Sequence, residues 1–220
     1  MVEQGYILVA DDHPLMRGAL AQAVCQILPR TKVLEAGALD QAIATIRARP
    51  PGIAIDLVLL DLNMPGMNGF SGLLLIRAEF PTVPVIVVSA SEDPSTVSRA
   101  ISYGAAGFIP KSAASEQIAE AIRSVLRGDL WFPAQDALTS RREDAELGDR
   151  LAALTPQQLR VFMMVAAGKL NKQIAHDMLV TEATVKAHVT MILRKLGVTS
   201  RTQAVIAAGR LLVDPPPQRE

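Results

Sequence analysis

Four short apolar runs in the first half of the chain each end at a charged or hydroxyl-bearing residue. In chain order these terminal residues are Asp11 with Asp12, Asp61, Ser89 and Lys111. If the runs are strands of one open parallel sheet, their carboxyl ends meet at a single edge, where such sheets bind ligands. Three carboxylates, one hydroxyl and one ammonium at that edge indicate a site for a divalent cation and a phosphoryl group.

The same half of the chain alternates strand-like runs with helical patterns. The predicted strands are 6–10, 31–35, 56–60, 85–89 and 107–109, and the predicted helices are 14–28, 38–48, 69–79, 94–103 and 114–127. This alternation predicts βαβ units and a parallel sheet covered on both faces. Five units predict an α/β domain of the flavodoxin-like, doubly wound class with strand order 2-1-3-4-5.

A change of pattern after residue 128 divides the chain into two domains. Residues 1–128 form the predicted α/β domain, 129–150 a linker, 151–213 a small all-α domain, and 214–220 a tail. Within the linker, residues 139–146 are polar and have no clear apolar stripe. The net charge of the chain is zero, but residues 151–213 contain eight basic and two acidic residues and so carry +6. Such a basic segment is typical of proteins that bind nucleic acid, although a solvated helical surface would give the same charge.

Composition and cysteine use indicate a folded intracellular protein. Half of the residues are hydrophobic and 20% are charged, which favours packed domains over disorder. The single cysteine, Cys25, cannot form a disulfide within the chain, as expected in a reducing cytosol. No run approaches the roughly 20 apolar residues of a membrane-spanning helix, and the first residues lack the basic region of a signal peptide. We therefore expect a soluble, cytoplasmic protein with no membrane partner.

The segment around Asp61 gives the most specific chemical signal. This acid ends an apolar run and is followed by Asn63, Pro65 and Gly66, and the last two fix a turn directly beyond it. A carboxylate in such a position can form an aspartyl phosphate, and neighbouring carboxylates can hold Mg²⁺, which prefers oxygen ligands. With the matching residues at the other strand ends, this half of the chain resembles the receiver domain of bacterial two-component response regulators.

The resemblance implies which residues form the phosphorylation site. Asp61 would be the phosphoacceptor, and Asp11 and Asp12 would be the acidic pair. Mg²⁺ would be bound directly by Asp12, Asp61 and the main-chain carbonyl of Asn63, and by Asp11 more often through water.

The resemblance also implies which residues respond to phosphorylation. Ser89 would be the switch hydroxyl that moves to the phosphoryl group, Lys111 would pair with the phosphoryl oxygens, and Phe108 would be the switch aromatic. Tyr103 is the less suitable aromatic because it lies in the preceding helix. Ser112 departs from the family pattern, in which a cis proline often follows the lysine.

An enzymatic alternative would use the same acid. Phosphatases of the haloacid dehalogenase type also have an aspartyl nucleophile at a strand end together with Mg²⁺, but they require a second Asp two residues later as a general acid. This chain has Asn63 at that position, so we expect that it is not an enzyme.

The second half of the chain predicts a helix-turn-helix. Asn171 begins a short helix that ends near Leu179, and Thr181 caps a longer helix that runs to about Leu196. The longer helix has an apolar face and an opposite face of basic and small residues. The apolar face consists of Val185, Val189, Ile192 and Leu196, and the opposite face of Lys186, Ala187, Thr190 and Arg194. Such a helix is suited to the major groove of DNA.

This half resembles the DNA-binding domain of NarL/LuxR-type regulators. The landmarks of the resemblance are residues 154–156, 167–168, 171–175, 184–188 and 195–198. It implies that Lys186, Ala187 and Thr190 lie at base-contacting positions and that a fourth helix, about 201–210, supplies dimer contacts on DNA. The candidates for phosphate contact are Lys172, Thr184, His188 and Arg194. Two glutamines at 157–158 replace the Arg-Glu pair that usually follows Thr-Pro.

Together the two resemblances imply a transcriptional regulator whose DNA binding depends on phosphorylation. Its partners would be a sensor histidine kinase, double-stranded promoter DNA and a second copy of the chain. Two alternatives stay open. The protein could be a DNA-binding regulator of the same fold that works without phosphorylation, or a phosphorelay protein that acts through protein contacts only.

Overall fold

The computed structural model describes residues 5–50, 53–133 and 142–213. Its strands are β1 (Tyr6–Ala10), β2 (Lys32–Ala36), β3 (Leu57–Asp61), β4 (Val85–Ser89) and β5 (Gly107–Pro110). The first five helices are α1 (Pro14–Ile27), α2 (Leu39–Arg47), α3 (Ser71–Glu79), α4 (Pro94–Ser102) and α5 (Ser115–Leu126). The others are α6 (Arg142–Ala152), α7 (Pro156–Ala166), α8 (Asn171–Asp177), α9 (Glu182–Leu196) and α10 (Arg201–Gly209).

The five strands form one parallel sheet in the order β2-β1-β3-β4-β5, which confirms the predicted fold class. Every residue of β3 and β4 is buried, because helices cover both faces of the sheet. Alternate residues of β3 point to opposite faces, so Leu57 and Leu59 join one apolar cluster while Val58 and Leu60 join the other. The site therefore stands at the edge of a rigid, fully packed sheet.

The predicted helices of the second half are present, and three of them begin at capping side chains. Thr155, Thr181 and Ser200 each accept a hydrogen bond, 3.2 Å long, from the main-chain N–H three residues later. Gly197 ends α9 in the left-handed conformation, with φ of 69°. These caps fix where the short α8 stops and the longer α9 starts, which is the geometry of a helix-turn-helix.

The segment predicted as a linker, 129–150, contains the start of a helix, because α6 begins at Arg142. Leu147 and Leu151, four residues apart, are buried at 8% and 1% exposure. Residues four apart lie on the same face of a helix, so the two leucines form a narrow apolar stripe that α6 can bury. Gly148 allows close approach to α4, since a Cβ atom there would lie 2.3 Å from the carbonyl oxygen of Ser102. The polar residues 139–141 and the tail 214–220 lie outside the described residues.

No helix in the described part of the chain is both long enough and apolar enough to cross a membrane.

Candidate functional sites

The carboxyl ends of four neighbouring strands bring the predicted acidic site together. Asp11 follows β1, Asp61 is the last residue of β3, Ser89 is the last residue of β4, and Lys111 follows β5. Because β3 lies between β1 and β4, Asp61 occupies the centre of this edge. Asp11, Asp61 and Ser89 are at most 1% exposed. Such burial of two acids requires a compensating charge.

Lys111 supplies that charge. Its ammonium nitrogen lies 2.8 Å from Oδ2 of Asp11 and 2.8 Å from Oδ2 of Asp61, so one cation bridges two carboxylates from different strands. The main-chain N–H of Lys111 donates to the carbonyl of Ser89 at 2.7 Å, which fixes the start of the side chain beside β4. The peptide bond that joins Lys111 to Ser112 is trans.

Burial and the contacts between Lys111 and the two acids together set the pKa values of Asp61 and Lys111. Burial raises the pKa of the Asp61 carboxyl above the usual 3.8, although the hydrogen bond and charge of Lys111 act in the opposite direction and Asp11 adds repulsion. For Lys111, burial alone would lower the pKa, but the hydrogen bonds to Asp11 and Asp61 outweigh it, so the pKa lies above 10.5. The ammonium is therefore charged at neutral pH and can attract an anionic phosphoryl group.

The other predicted residues of this site surround the pair. The Asp12 side chain is 29% exposed and so faces solvent more than Asp11 does. The main-chain N–H of Asn63 donates to Oδ1 of Asp61 at 3.3 Å, which places the turn directly over the acid. Ser89 accepts a hydrogen bond from the N–H of Ser91 at 3.1 Å, and Phe108 is fully buried in the sheet.

The acidic residues are also placed to hold a cation. Ligand atoms of Asp11, Asp12 and Asp61 lie within 4.8 Å of one another, together with a nitrogen of His13. Three carboxylates are the hard oxygen donors that Mg²⁺ prefers, so the residues present fit this ion. Sequence reasoning missed His13. The available signal was its position directly after the acidic pair.

The predicted DNA-reading face of α9 is open to solvent. Lys186, Ala187, Thr190 and Arg194 are exposed on it, whereas Val185, Ile192 and Leu196 are buried in the domain core. The hydroxyl of Thr190 donates to the main-chain carbonyl of Lys186 at 3.0 Å. Of the other phosphate candidates, Lys172 on α8 is exposed, and Thr184 and His188 are half-buried. The four residues of the predicted reading face of α9 are thus accessible to a ligand.

One of the two glutamines at 157–158, Gln158, makes polar contacts within this domain. Oε1 of Gln158 accepts a hydrogen bond from the ammonium of Lys195 at 2.8 Å, and that ammonium also donates to the carbonyl of Ala153 at 2.8 Å. The same Oε1 accepts from the N–H of Thr155 at 3.2 Å. An amide oxygen therefore holds the end of α9 against the start of α7.

A contact that sequence reasoning did not find joins the two domains. The main-chain carbonyl of Leu211, just beyond α10, accepts a hydrogen bond from the N–H of Phe70 at 2.9 Å. The Leu211 side chain is 1% exposed, and the Tyr103 ring, also 1% exposed, packs edge-on against Phe70 at 5.2 Å. Apolar residues of both domains belong to one buried cluster. The end of the second domain is thus part of a shared core.

Ionic contacts surround this shared core. Glu79, at the end of α3, pairs with Arg160 of α7 and with Arg47 of α2. Arg210 pairs with Glu143 of α6 at 2.9 Å. The exposed residues of α9 lie outside these contacts, so docking leaves the predicted reading face accessible.

Comparison with protein families gives two matches. The family described as "Response regulator receiver domain" matches residues 7–123. The family described as "Bacterial regulatory proteins, luxR family" matches residues 152–208.

Curated relatives match over nearly the whole chain. The chain is 44% identical over 211 residues to the "Glycerol metabolism activator" of Pseudomonas putida, and the match covers 92% of this chain and 94% of the relative. It is 37% identical over 203 residues to the nitrate/nitrite response regulator protein NarP of Escherichia coli K12, which covers 91% and 92%. With NarL of the same organism the identity is 33%, and the match covers 93% and 94%.

Solved structures of similar fold include the response regulator RcsB in complex with DNA. The TM-score is 0.55 at 21% identity, and the match covers 94% of this chain and 99% of that chain. For RcsB from Salmonella enterica serovar Typhimurium bound to a promoter, the TM-score is 0.53 at 21% identity, and the match covers 95% of this chain and 100% of that chain. At this identity the likeness concerns the fold.

Proposed function

Since the chain belongs to the DNA-binding response regulators that combine a receiver domain with a LuxR-type domain, we propose that Asp61 accepts a phosphoryl group from a sensor histidine kinase. The observation that carries the proposal is the ion pair of 2.8 Å between Asp61 and Lys111 at the centre of the sheet edge. Among the strands that the structure describes, β3 is the central one, and the carboxylate at its end, Asp61, is buried.

The residues divide the transfer between them. An oxygen of Asp61 forms the new bond to phosphorus while the bond from phosphorus to the kinase histidine breaks, so one acyl phosphate replaces one phosphohistidine. Lys111 neutralises a phosphoryl oxygen. Asp12, Asp61 and the carbonyl of Asn63 would hold Mg²⁺ directly, and Asp11 would hold it through water. When bound, Mg²⁺ offsets negative charge on the reacting oxygens.

Phosphorylation then acts on DNA binding through α4. Ser89 ends β4 and precedes α4, so movement of its hydroxyl toward the phosphoryl group changes the position of that helix, with Phe108 adjusting beside it. In the described structure α4 holds the C-terminal end of α10 through Arg99. Release of this end frees or reorients the LuxR-type domain.

The released domain binds promoter DNA as a dimer. Lys186, Ala187 and Thr190 read bases, and the surrounding basic and hydroxyl residues hold phosphates. Val205 and Ile206, which are 38% and 67% exposed on α10, supply an apolar surface for a second copy. In one solved structure with this fold, two RcsB dimers are bound to two parallel DNAs. Because promoter DNA is bound in the cytoplasm of a bacterium, the proposed activity places the protein there.

The experiment compares Asp61→Asn with Asp56→Asn. Asp56 immediately precedes β3 at the opposite end of the strand, where it accepts a hydrogen bond from Tyr6, so it is a matched control. After incubation with acetyl phosphate and Mg²⁺, intact mass should show one phosphoryl adduct on wild type and on Asp56→Asn, and none on Asp61→Asn. In a mobility shift on promoter DNA, the adduct should increase binding. An adduct on Asp61→Asn, or equal binding with and without the donor, would contradict the proposal.

A further inference from the structure

The imidazole of His13 is turned toward the acidic site and away from the helix it precedes. Nδ1 of His13 lies 2.7 Å from Oδ1 of Asp12 and 3.4 Å from Oδ1 of Asp11. His13 occupies the capping position of α1, yet its side chain makes no capping hydrogen bond. The helix start therefore does not explain the orientation of this side chain.

The close approach of His13 and Asp12 is not a hydrogen bond. Oδ1 of Asp12 is buried and accepts no hydrogen bond from any residue that the structure describes. A buried carboxylate oxygen without a partner is costly, so such an atom points to a missing ligand. Nδ1 of His13 and Oδ1 of Asp12, 2.7 Å apart, have the spacing of two neighbouring ligands of one cation.

The distances suit a single coordination sphere. One ligand atom from each of Asp11, Asp12, His13 and Asp61 can be chosen so that all lie within 4.8 Å of one another. First-row metal ions bind nitrogen and oxygen ligands at roughly 2.0–2.2 Å, so opposite ligands stand a little over 4 Å apart. Only small side-chain movements would bring all four atoms onto one ion. His13 is free to make them, since its side chain is 68% exposed.

We infer that His13 is a nitrogen ligand of the receiver's cation site, so that this site takes a first-row transition cation such as Mn²⁺ more tightly than Mg²⁺. The inference deepens the proposed function and rests on its cation site. Mg²⁺ gains little from imidazole because it prefers oxygen ligands. Imidazole is a ligand of first-row transition cations, and Mn²⁺ is the one among them that also suits the carboxylates of this site. One side chain thereby sets which divalent cation the site selects.

The sequence offers a clean spectroscopic test because it contains three histidines, His13, His176 and His188. A variant with His176→Gln and His188→Gln retains His13 as its single imidazole. Pulsed electron paramagnetic resonance of the Mn²⁺ complex should show the nitrogen modulation of a bound imidazole in wild type and in this variant, and His13→Gln should abolish it. Calorimetric titration of His13→Gln should show Mn²⁺ affinity weakened by about tenfold or more, the loss typical even of residues that only support a ligand. Its Mg²⁺ affinity should change less than about twofold.

Three results would overturn the inference. They are the absence of nitrogen modulation in wild type, a wild type that binds Mn²⁺ no more tightly than Mg²⁺, and an equal loss of both affinities in His13→Gln. Failure of the underlying cation site would look different. In that case wild type and Asp12→Ala would give the same titration with Mg²⁺.

Discussion

One guanidinium nitrogen of Arg99 donates hydrogen bonds to the main-chain carbonyls of Arg210 and Leu212, at 3.1 and 2.7 Å. Arg99 lies on α4, the helix that follows the switch position Ser89, and the two carbonyls lie just beyond the C-terminal end of α10. Main-chain carbonyls outside a helix or strand need other donors, and a guanidinium is well suited to satisfy them. A single side chain thus connects the proposed switch to the DNA-binding domain.

Arg99→Ala should weaken docking of the two domains. The lost hydrogen bonds involve a charged donor at a partly exposed site, and we expect a cost of about 1–2 kcal/mol. Small-angle X-ray scattering of the unphosphorylated protein should give a larger radius of gyration than wild type. Arg127→Ala is the control, because Arg127 is exposed and pairs with the exposed Asp129, two residues further along the chain. An unchanged radius in Arg99→Ala would show that this contact does not hold the domains.

Gly69→Ala should separate the domains by steric clash. A Cβ atom at Gly69 would lie 2.1 Å from the carbonyl oxygen of Leu211, so Leu211 must move. Gly128→Ala is the matched control, since Gly128 also has positive φ but a Cβ there meets nothing within 4 Å. Both variants carry the backbone cost of about 1–2 kcal/mol for an L residue in this conformation. Calorimetry should show a split unfolding transition for Gly69→Ala and a single, shifted transition for Gly128→Ala.

The ionisation of Tyr103 should report on docking. Burial, with the nearby charge of Asp144, raises the pKa of its phenol from 10.0 to about 12. The folded pKa lies above the unfolded one, so the stability that this group contributes is complete below pH 10 and is lost as pH rises toward 12. The chain has two tyrosines, and in Tyr6→Phe the tyrosinate absorbance therefore comes from Tyr103. We expect a midpoint near 12, which Gly69→Ala should lower toward 10. A midpoint near 10 in the docked protein would contradict this burial.

The sequence predicted the receiver site because its geometry follows from strand order. Once the apolar runs are strands of a parallel sheet, the positions of Asp11, Asp61, Ser89 and Lys111 in that sheet are fixed. The structure confirms the strands and helices of this half to within about two residues at most ends. Hydrophobic periodicity and the order of the strands and helices can both be read directly from the sequence.

The docking contact could not be predicted in the same way. Arg99 binds main-chain carbonyls, and every residue has one, so no sequence pattern marks the partner. Leu211 could only be recognised as apolar, since its burial depends on Phe70 and Tyr103 of the other domain. Helix α6 was missed for a related reason, because Leu147 and Leu151 bury their side chains between domains and the other residues of the helix are mostly polar.

Base reading and phosphate binding should be separable in the helix-turn-helix. Lys186 is exposed on α9, whereas the neighbouring Val185 is buried, so the ammonium of Lys186 can reach guanine acceptors in the major groove. Lys186→Ala should cost about 1–3 kcal/mol on the preferred site and reduce discrimination at one base position. Lys172 on α8 should instead contact a phosphate. Lys172→Ala should therefore weaken binding to all DNA sequences similarly, and the slope of log affinity against log salt concentration should fall in magnitude by about one.

Binding isotherms on matched operator variants at two salt concentrations distinguish these roles. The two lysines are matched in chemistry and both are exposed, so each variant is a control for the other. If both lysines are merely solvated, neither substitution will change affinity, base preference or salt slope appreciably. If Lys186→Ala lowers affinity equally for every operator variant, α9 contacts the backbone at this position. The base-reading role would then belong to another residue of the exposed face, because a lost phosphate contact carries no sequence information.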